Sequence, residues 1–300
     1  MIAPTLHRNQ SGRARMSTVT LNGKVAIVTG ANSGIGRITA RELALNGYHV
    51  FLACRSVERG QAVVDEIASL SDNTAKTEIL ALDLGDFNSV RRCAESFLAR
   101  GLPLHLLIAN AGIAGNKGRT ASGFEMTFGI CHMGHFLLTQ LLLERIKTSA
   151  PARIVVVASH AHRRPKTFDF STLQQDTKTF SGFPEYGVAK LSNVLFAAEL
   201  ARRLKGTGVT TYSLHPGVVA TNVWRAVPWP FDHLIKHFMI SEEEGAATSL
   251  YCALSPEVSE QSGLYYEECQ LKEPSAMAQD TTLAARLWKE SETWLAAATG

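Results

Sequence analysis

Two kinds of hydrophobic pattern alternate along most of this chain. Short runs such as residues 24–29 and 153–159 are rich in valine and isoleucine and nearly free of polar side chains, which is typical of parallel strands buried on both faces. Between these runs, apolar residues recur at the three- and four-residue spacing of amphipathic helices. Strands that alternate with helices predict an α/β fold with a doubly wound parallel sheet and helices on both faces.

The same pattern predicts about seven strands. Besides the two runs above, strands are expected at residues 49–54, 78–82, 104–109, 209–214 and 263–266. The last of these should lie at an edge of the sheet. Helices are expected after the first strand, at residues 56–70, from a cap at Asp86 to about residue 100, at 124–146, at 185–204 and near the C-terminus.

Residues 1–20 differ from the rest of the chain. They are polar and contain several arginines but no acidic residue, so we expect a disordered N-terminal tail, with a targeting segment as the open alternative. The chain has 300 residues and is 45% hydrophobic, which is enough to bury the core of one domain over residues 21–300.

Charge and cysteine content narrow the classes of function. A net charge of +3 and a pI of about 8.6 are too mild to indicate a nucleic-acid partner. No run of about eighteen apolar residues is found, so no membrane span is predicted. The five cysteines are widely spread and lack a Cys-x-x-Cys pair, which indicates reduced thiols and a cytoplasmic location.

A glycine-rich turn follows the first strand and leads into the first helix. Glycine allows the sharp bend and lets a pyrophosphate approach the free amides at the positive end of the helix. With a strand before it and a helix after it, the turn predicts a Rossmann-type dinucleotide site. The residues expected to contact the dinucleotide here are Gly30, Asn32, Ser33, Gly34, Ile35 and Gly36.

The end of the second strand indicates which coenzyme binds. In this architecture, an acid at that position selects the free ribose hydroxyl of NAD, whereas arginine suits the 2′-phosphate of NADP. The chain has Arg55 there, and Arg37 follows the glycine turn as a second cation. We therefore expect NADP(H), because guanidinium groups bind phosphates through charge-assisted hydrogen bonds. The alternative is that both arginines are solvated surface residues.

Tyr186 and Lys190 form the strongest reactive pair. Their i, i+4 spacing in a predicted helix places both side chains on one face. A free phenol is too weak an acid to exchange protons at neutral pH, and a neighbouring cation favours its phenolate form. Tyr186 can then act as a general acid in reduction and a general base in oxidation.

These motifs resemble the short-chain dehydrogenase/reductase family. The glycine turn has the Thr-Gly-x-x-x-Gly-x-Gly spacing of that family, and Tyr-x-x-x-Lys follows it. The 27 positions from Ser159 to Tyr186 exceed the usual separation and are similar to the retinol dehydrogenase branch. Further segments that resemble this branch are residues 132–139, 201–204, 215–219 and 245–247.

The resemblance implies roles for further residues. Ser159 would orient the substrate carbonyl, and Lys190 would also hold the nicotinamide ribose. His162 and Trp224 would contact the substrate, and residues 221–241 would form a mobile apolar lid, with packing of a short helix against the core as the alternative. Further expected coenzyme contacts are Asp83, Leu84, Asn110, Ala111, Gly112, Pro216, Gly217, Val219 and Thr221.

The resemblance also implies a lipophilic aldehyde or alcohol, like retinal or retinol, as the substrate. The lid could touch a membrane surface, and the two long helices are surfaces through which family members often form homodimers. No metal is expected, because His160 and His162 alone do not make a metal site. In an apolar setting these two histidines would line or cap the pocket.

One residue departs from the family pattern. Cys131 stands where the family has an asparagine that orients a helix carbonyl and a water in a proton relay through the lysine. Cysteine cannot make the same amide hydrogen bonds, which predicts an active but slower enzyme. Two alternatives stay open: a ketoreductase for a steroid, polyketide or xenobiotic carbonyl, and a weakly active NADP-binding regulatory protein.

Overall fold

The computed structural model describes residues 20–218 and 240–298. Their strands form one sheet of eight, in the order β3-β2-β1-β4-β5-β6-β7-β8. The first seven strands are parallel, and β8 pairs with β7 in the antiparallel direction. The strands are β1 (Val25–Thr29), β2 (His49–Cys54), β3 (Thr77–Ala81), β4 (Leu106–Ala109), β5 (Ala152–Val157), β6 (Val209–His215), β7 (Leu264–Glu267) and β8 (Gln270–Lys272).

The predicted fold class is confirmed, with one correction to the sheet. The edge next to β7 is formed by β8, a strand that the hydrophobic pattern does not predict. A two-residue turn at Glu268 and Cys269 joins the two strands, and both residues have positive φ angles, 53° and 57°. This is the backbone of a tight β-hairpin. Because β8 has only three residues and little burial, its sequence has no hydrophobic pattern from which a strand could be predicted.

Seven helices surround this sheet in the described residues. They are α1 (Gly34–Leu45), α2 (Val57–Leu70), α3 (Phe87–Leu98), α4 (Met126–Thr148), α5 (Phe183–Arg203), α6 (Glu242–Leu254) and α7 (Thr281–Ala297). The predicted cap at Asp86 is confirmed, since its carboxylate accepts a hydrogen bond from the amide of Asn88 at 2.9 Å. Helix α6 was not predicted, although Ser241 and Glu244 form a capping box at its start.

The sheet is covered by a hydrophobic core on each face. In β1, Val25 and Ile27 belong to the core beneath α3, α4, α5 and α7, whereas Ala26 and Val28 belong to the core beneath α1, α2 and α6. Successive side chains of a strand point to opposite faces, so an uninterrupted apolar strand serves both cores. This is why the central strands could be predicted closely.

Helix α4 is apolar enough to pass for a membrane span. Over its 23 residues, an 18-residue window has a mean hydropathy of 1.3, and 72% of that window is buried inside the protein. No such segment is expected from the sequence. The burial shows that this helix packs as a core element of the α/β fold.

The C-terminal helix covers part of the two long helices. The Trp288 ring of α7 lies 5.0 Å from Phe136 of α4 and 5.9 Å from Phe196 of α5. Trp294 packs against Phe124, just before α4, and against Phe128 in its first turn. The part of the α4 and α5 surface that α7 covers is therefore not available to a second copy of the chain. The expected homodimer would have to form through the parts of these helices that α7 leaves uncovered.

Candidate active site

The expected site residues come together because parallel strands end at one edge of the sheet. Gly30 follows β1, Arg55 follows β2, Asp83 lies just beyond β3, and Asn110 follows β4. Ser159 lies two residues beyond β5. Ligands of doubly wound sheets bind at this carboxyl edge, so the topology places the glycine turn beside the reactive residues.

The glycine turn has room only for glycine at two of its positions. A Cβ at Gly36 would lie 2.4 Å from the carbonyl oxygen of Gly30 and 2.5 Å from Asn110 Nδ2. Gly30 itself has a φ angle of +67°, which favours glycine. Ser33 precedes α1 in an extended conformation and makes no capping hydrogen bond with its side chain.

The first turn of α1 therefore leaves its amides available to an anion. Gly34 is buried there, while Asn32, Ser33 and Ile35 are half-buried at the surface of the turn. The predicted residues of the turn are thus brought together, and this cradle fits a dinucleotide pyrophosphate.

The Asn110–Gly112 segment connects this turn with the reactive residues. Asn110 Nδ2 donates to the carbonyl oxygen of Thr29 at 2.8 Å. A Cβ at Gly112 would lie 3.3 Å from Lys190 Nζ and 3.4 Å from Cys131 Sγ. Gly112 therefore lies directly against the reactive lysine.

Tyr186 and Lys190 are nearly buried on one face of α5. Their exposed fractions are 8% and 3%, and Lys190 Nζ lies 5.6 Å from the centre of the Tyr186 ring. Lys190 Nζ also donates to the carbonyl oxygen of Val157 at 2.9 Å, and Asn193 Nδ2 donates to the same oxygen at 3.2 Å. The end of β5 thus holds the ammonium group beside the phenol.

Ser159 caps a short 3-10 turn, His160–Arg163. Its Oγ accepts a hydrogen bond from the amide of Ala161 at 3.2 Å. The hydroxyl hydrogen stays available for a donor role, because accepting from Ala161 uses only a lone pair. Ser159 is half-buried at the carboxyl edge, so it can donate to a substrate oxygen.

The structure places His162 behind Ser159 and not in the substrate space, which corrects its expected role. His162 is fully buried, and its Nδ1 lies 2.7 Å from the carbonyl oxygen of Ser159. Its Nε2 accepts from the amide of Ser275 at 3.1 Å. Burial lowers the pKa of His162 to about 4, so the ring is neutral and supports the serine from below.

The two arginines expected at the NADP phosphate differ in their surroundings. Arg37 forms ion pairs with Glu66 at 2.6 Å and Glu242 at 3.5 Å. Arg55 is exposed, and within residues 20–218 and 240–298 it makes no hydrogen bond or ion pair. Of the expected pair, Arg37 is thus paired with carboxylates of α2 and α6, whereas Arg55 has no counter-ion among the described residues. A contact of either arginine with the 2′-phosphate stays a prediction.

The remaining predicted coenzyme contacts lie at the same edge where the structure describes them. Asp83 is half-buried and accepts from the amide of Gly85 at 2.9 Å, and Leu84 is buried against α4. Pro216 and Gly217 follow β6, and Gly217 has a φ angle of +89°. The residues that lie outside the described ranges are Val219, Thr221, Trp224 and nearly all of the expected lid.

Residues 24–229 match the family model described as short chain dehydrogenase. The chain belongs to this family. It is 46% identical to retinol dehydrogenase 11 of Homo sapiens over 298 residues, covering 97% of this chain and 92% of that protein. The resemblance to the retinol dehydrogenase branch is therefore confirmed, and the chain is an alcohol or carbonyl oxidoreductase.

Two solved structures agree with this assignment. An uncharacterized protein of Mycobacterium paratuberculosis has a TM-score of 0.72 and 32% identity, covering 94% of this chain and 96% of that one. An NAD(P)-dependent gluconate 5-dehydrogenase of Beutenbergia cavernae, with bound NADP, has a TM-score of 0.65 and 25% identity, covering 83% and 96%.

Within this short chain dehydrogenase fold, Cys131 occupies a π-helical turn, Gly129–Met133, inside α4. Such turns often mark functional sites in helices. Cys131 is fully buried, and its Sγ lies 3.5 Å from the amide nitrogen and 3.6 Å from the carbonyl oxygen of Ile113. Burial raises the pKa of the Cys131 thiol. The sulfur thus meets both backbone groups of Ile113 through weak, long hydrogen bonds.

The hydrophobic pattern predicts a plain helix here and gives no role to Thr29 or His135, which join this turn to the segment after β4. Thr29 Oγ1 accepts from the amides of Asn110 and Ala111, and His135 contacts Thr29 and the carbonyl of Cys131. The sequence does contain one signal for these contacts, because Thr29 is a polar residue at the end of an otherwise apolar strand.

Two further observations concern metal binding and a groove away from the coenzyme cradle. In the described part of the chain, no group of three His, Cys, Asp or Glu side chains could hold a metal ion. A groove of about 820 Å³ lies at the opposite edge of the sheet, lined by Lys24, Arg153 and Lys205 among others. It contains none of the residues expected in catalysis or coenzyme binding.

Proposed function

We propose that this protein is an NADP(H)-dependent oxidoreductase that interconverts a lipophilic aldehyde, of the retinal type, and its alcohol. The observation that carries the proposal is the placement of Lys190 beside Tyr186. Lys190 Nζ lies 5.6 Å from the tyrosine ring and is anchored to the carbonyl of Val157, two residues before Ser159. A proton donor, its cation and a hydroxyl donor thus share one edge of the sheet.

The coenzyme would bind across the glycine turn. The amides at the start of α1 would hold the pyrophosphate, Asp83 and Leu84 would lie by the adenine, and Asn110–Gly112 and Pro216–Gly217 would lie by the nicotinamide half. Arg55 has no counter-ion among the described residues, and this supports NADP(H) over NAD(H). The bound coenzyme supplies the hydride in reduction and takes it up in oxidation.

The side chains would manage the proton and the substrate oxygen. In reduction, Ser159 donates a hydrogen bond to the carbonyl oxygen as negative charge develops there. Tyr186 then transfers its hydroxyl proton to that oxygen, which becomes the alcohol. Lys190 stabilises the phenolate that remains on Tyr186. In oxidation each transfer runs in the opposite direction.

The substrate class is supported by the relatives and by the sequence. The human relative is named for retinol, and residues 221–241 of this chain contain two tryptophans and two phenylalanines among many aliphatic residues. Apolar surfaces of this kind suit a hydrophobic ligand. The regulatory alternative is favoured by one observation, the weak sulfur contacts of Cys131 near Lys190.

The test is NADPH consumption by the full chain with retinal, linear aldehydes of rising length and a steroid ketone. We expect turnover with retinal and a KM that falls steadily as the aldehydes lengthen. A flat series would overturn the lipophilic substrate class. Faster turnover with the ketone would support the ketoreductase alternative, and NADPH binding without turnover of any substrate would support the regulatory one. Tyr186→Phe is the control, and it should abolish turnover.

A further inference from the structure

Thr29 and His135 lie deep between the glycine turn and α4, and the proton transfer does not involve them. Thr29 is fully buried and His135 is 2% exposed. His135 Nε2 lies 2.8 Å from Thr29 Oγ1, and its Nδ1 lies 3.0 Å from the carbonyl oxygen of Cys131. We propose that His135 is a positioning residue that orients the Thr29 hydroxyl so that it fixes the Asn110–Ala111 backbone under the glycine turn.

The direction of each hydrogen bond follows from the chemistry of the partners. A carbonyl oxygen can only accept, so Nδ1 of His135 carries the hydrogen that it donates to Cys131. Burial lowers the pKa of His135 to about 4, so the ring is neutral at pH 7 and Nε2 is an acceptor. Thr29 therefore donates its hydroxyl hydrogen to His135.

The two lone pairs of the Thr29 hydroxyl are then left for backbone amides. Asn110 donates to Thr29 Oγ1 at 2.9 Å, and Ala111 donates to it at 3.0 Å. A hydroxyl offers one hydrogen and two lone pairs, so these three contacts use its full capacity. Among the described residues, Thr29 Oγ1 also lies 3.3 Å from the carbonyl oxygen of Ile108. Rotation of the hydroxyl hydrogen toward that oxygen would turn the lone pairs away from the amides.

The Asn110–Ala111 backbone in turn supports the coenzyme cradle. A Cβ at Gly30 would lie 3.0 Å from both Cα and Cβ of Ala111, and one at Gly36 would lie 2.5 Å from Asn110 Nδ2. Neither glycine has room for a side chain against this segment, so a shift of Asn110 and Ala111 would disturb the packing of the glycine turn. The effect on coenzyme affinity rests on the proposed function, whereas the effect on the backbone does not.

The first measurement needs no coenzyme. Amide hydrogen exchange of Asn110 and Ala111 is compared between the unliganded full chain and His135→Phe, and we expect protection to fall about fivefold to tenfold, as for one lost buried hydrogen bond. His132→Phe is the matched control, because His132 is buried in the same helix among Phe128, Phe136 and Phe196. Unchanged protection in His135→Phe, or an equal fall in His132→Phe, overturns the inference.

A double-mutant cycle for NADPH affinity tests the coupling. Thr29→Val and His135→Phe should each raise the Kd for NADPH about fivefold to tenfold, and the double variant should be little worse than Thr29→Val alone. Thr29→Ser keeps the hydroxyl and should restore most of the affinity. Additive effects of the two substitutions overturn the inference. A wild-type chain that binds no NADPH overturns the proposed function instead, and amide exchange still decides the role of His135.

Discussion

Arg37 is paired with two carboxylates, whereas Arg55 is exposed and has no counter-ion among the described residues. Both were expected at the 2′-phosphate, yet the carboxylates of Glu66 and Glu242 occupy Arg37. A sequence shows that a cation is near the coenzyme turn but not which distant helix supplies its counter-ion. Arg55 could be placed from the sequence because it follows a strand whose end was predicted correctly.

Substitution of Arg55 should therefore change coenzyme preference. Arg55→Ser should raise the Kd for NADPH about tenfold or more, because one charge-assisted phosphate contact is lost. The Kd for NADH should change little. Fluorescence titration with both coenzymes measures this, and Arg37→Ser is the matched control. An equal loss of affinity for both coenzymes would show that Arg55 does not read the 2′-phosphate.

Cys131 is the other residue whose surroundings suggest a kinetic effect. Its Sγ is 3.5 Å from the Ile113 amide and 3.6 Å from the Ile113 carbonyl, where an asparagine amide could accept and donate at once. Cys131→Asn should raise kcat about fivefold, the value of one improved neutral hydrogen bond of about 1 kcal/mol. Steady-state kinetics with retinal and NADPH check this. If kcat is unchanged while Tyr186→Phe is inactive, the relay does not limit turnover.

At the scale of elements, the strands that carry the site were predictable and some of their connections were not. Strand β2 has the predicted bounds, His49–Cys54, because both of its faces are buried. The π turn at Gly129–Met133 has no distinct period, since it adds one residue to an otherwise helical apolar segment. The contact of His162 with Ser275 joins residues 113 positions apart, and no local pattern reports such a contact.

Helix α7 should contribute strongly to stability through Trp288. This side chain is 4% exposed and packs against Phe136 and Phe196, and its ring centre lies 4.3 Å from the guanidinium carbon of Arg203. Trp288→Ala should lower the free energy of unfolding by about 3 to 5 kcal/mol. Urea denaturation measures it, with the exposed neighbour Lys289→Ala as control. A loss below about 1 kcal/mol would mean that α7 is only loosely attached.

At the scale of the whole molecule, buried histidines make stability depend on pH. Burial lowers the pKa of His132 to about 3, and those of His135, His162 and His215 to about 4. In the unfolded chain, histidine has a pKa of about 6.5. Between these values the unfolded chain binds more protons than the native protein, so the native state loses stability as the pH falls.

The free energy of unfolding should therefore decrease between pH 7 and pH 5, by about 2 kcal/mol for each buried histidine. The carboxylates of Glu185 and Glu199, whose pKa values are lowered in the native state, add to the loss only below about pH 4.5. Glu125 acts in the opposite direction, because burial raises its pKa.

Urea denaturation at pH 7, 6 and 5 measures the slope of the free energy of unfolding against pH. His162→Gln should reduce that slope, because it removes a histidine whose pKa is lowered in the native state. If the slope is the same in His162→Gln as in the wild type, His162 is protonated as readily in the folded protein as in the unfolded chain.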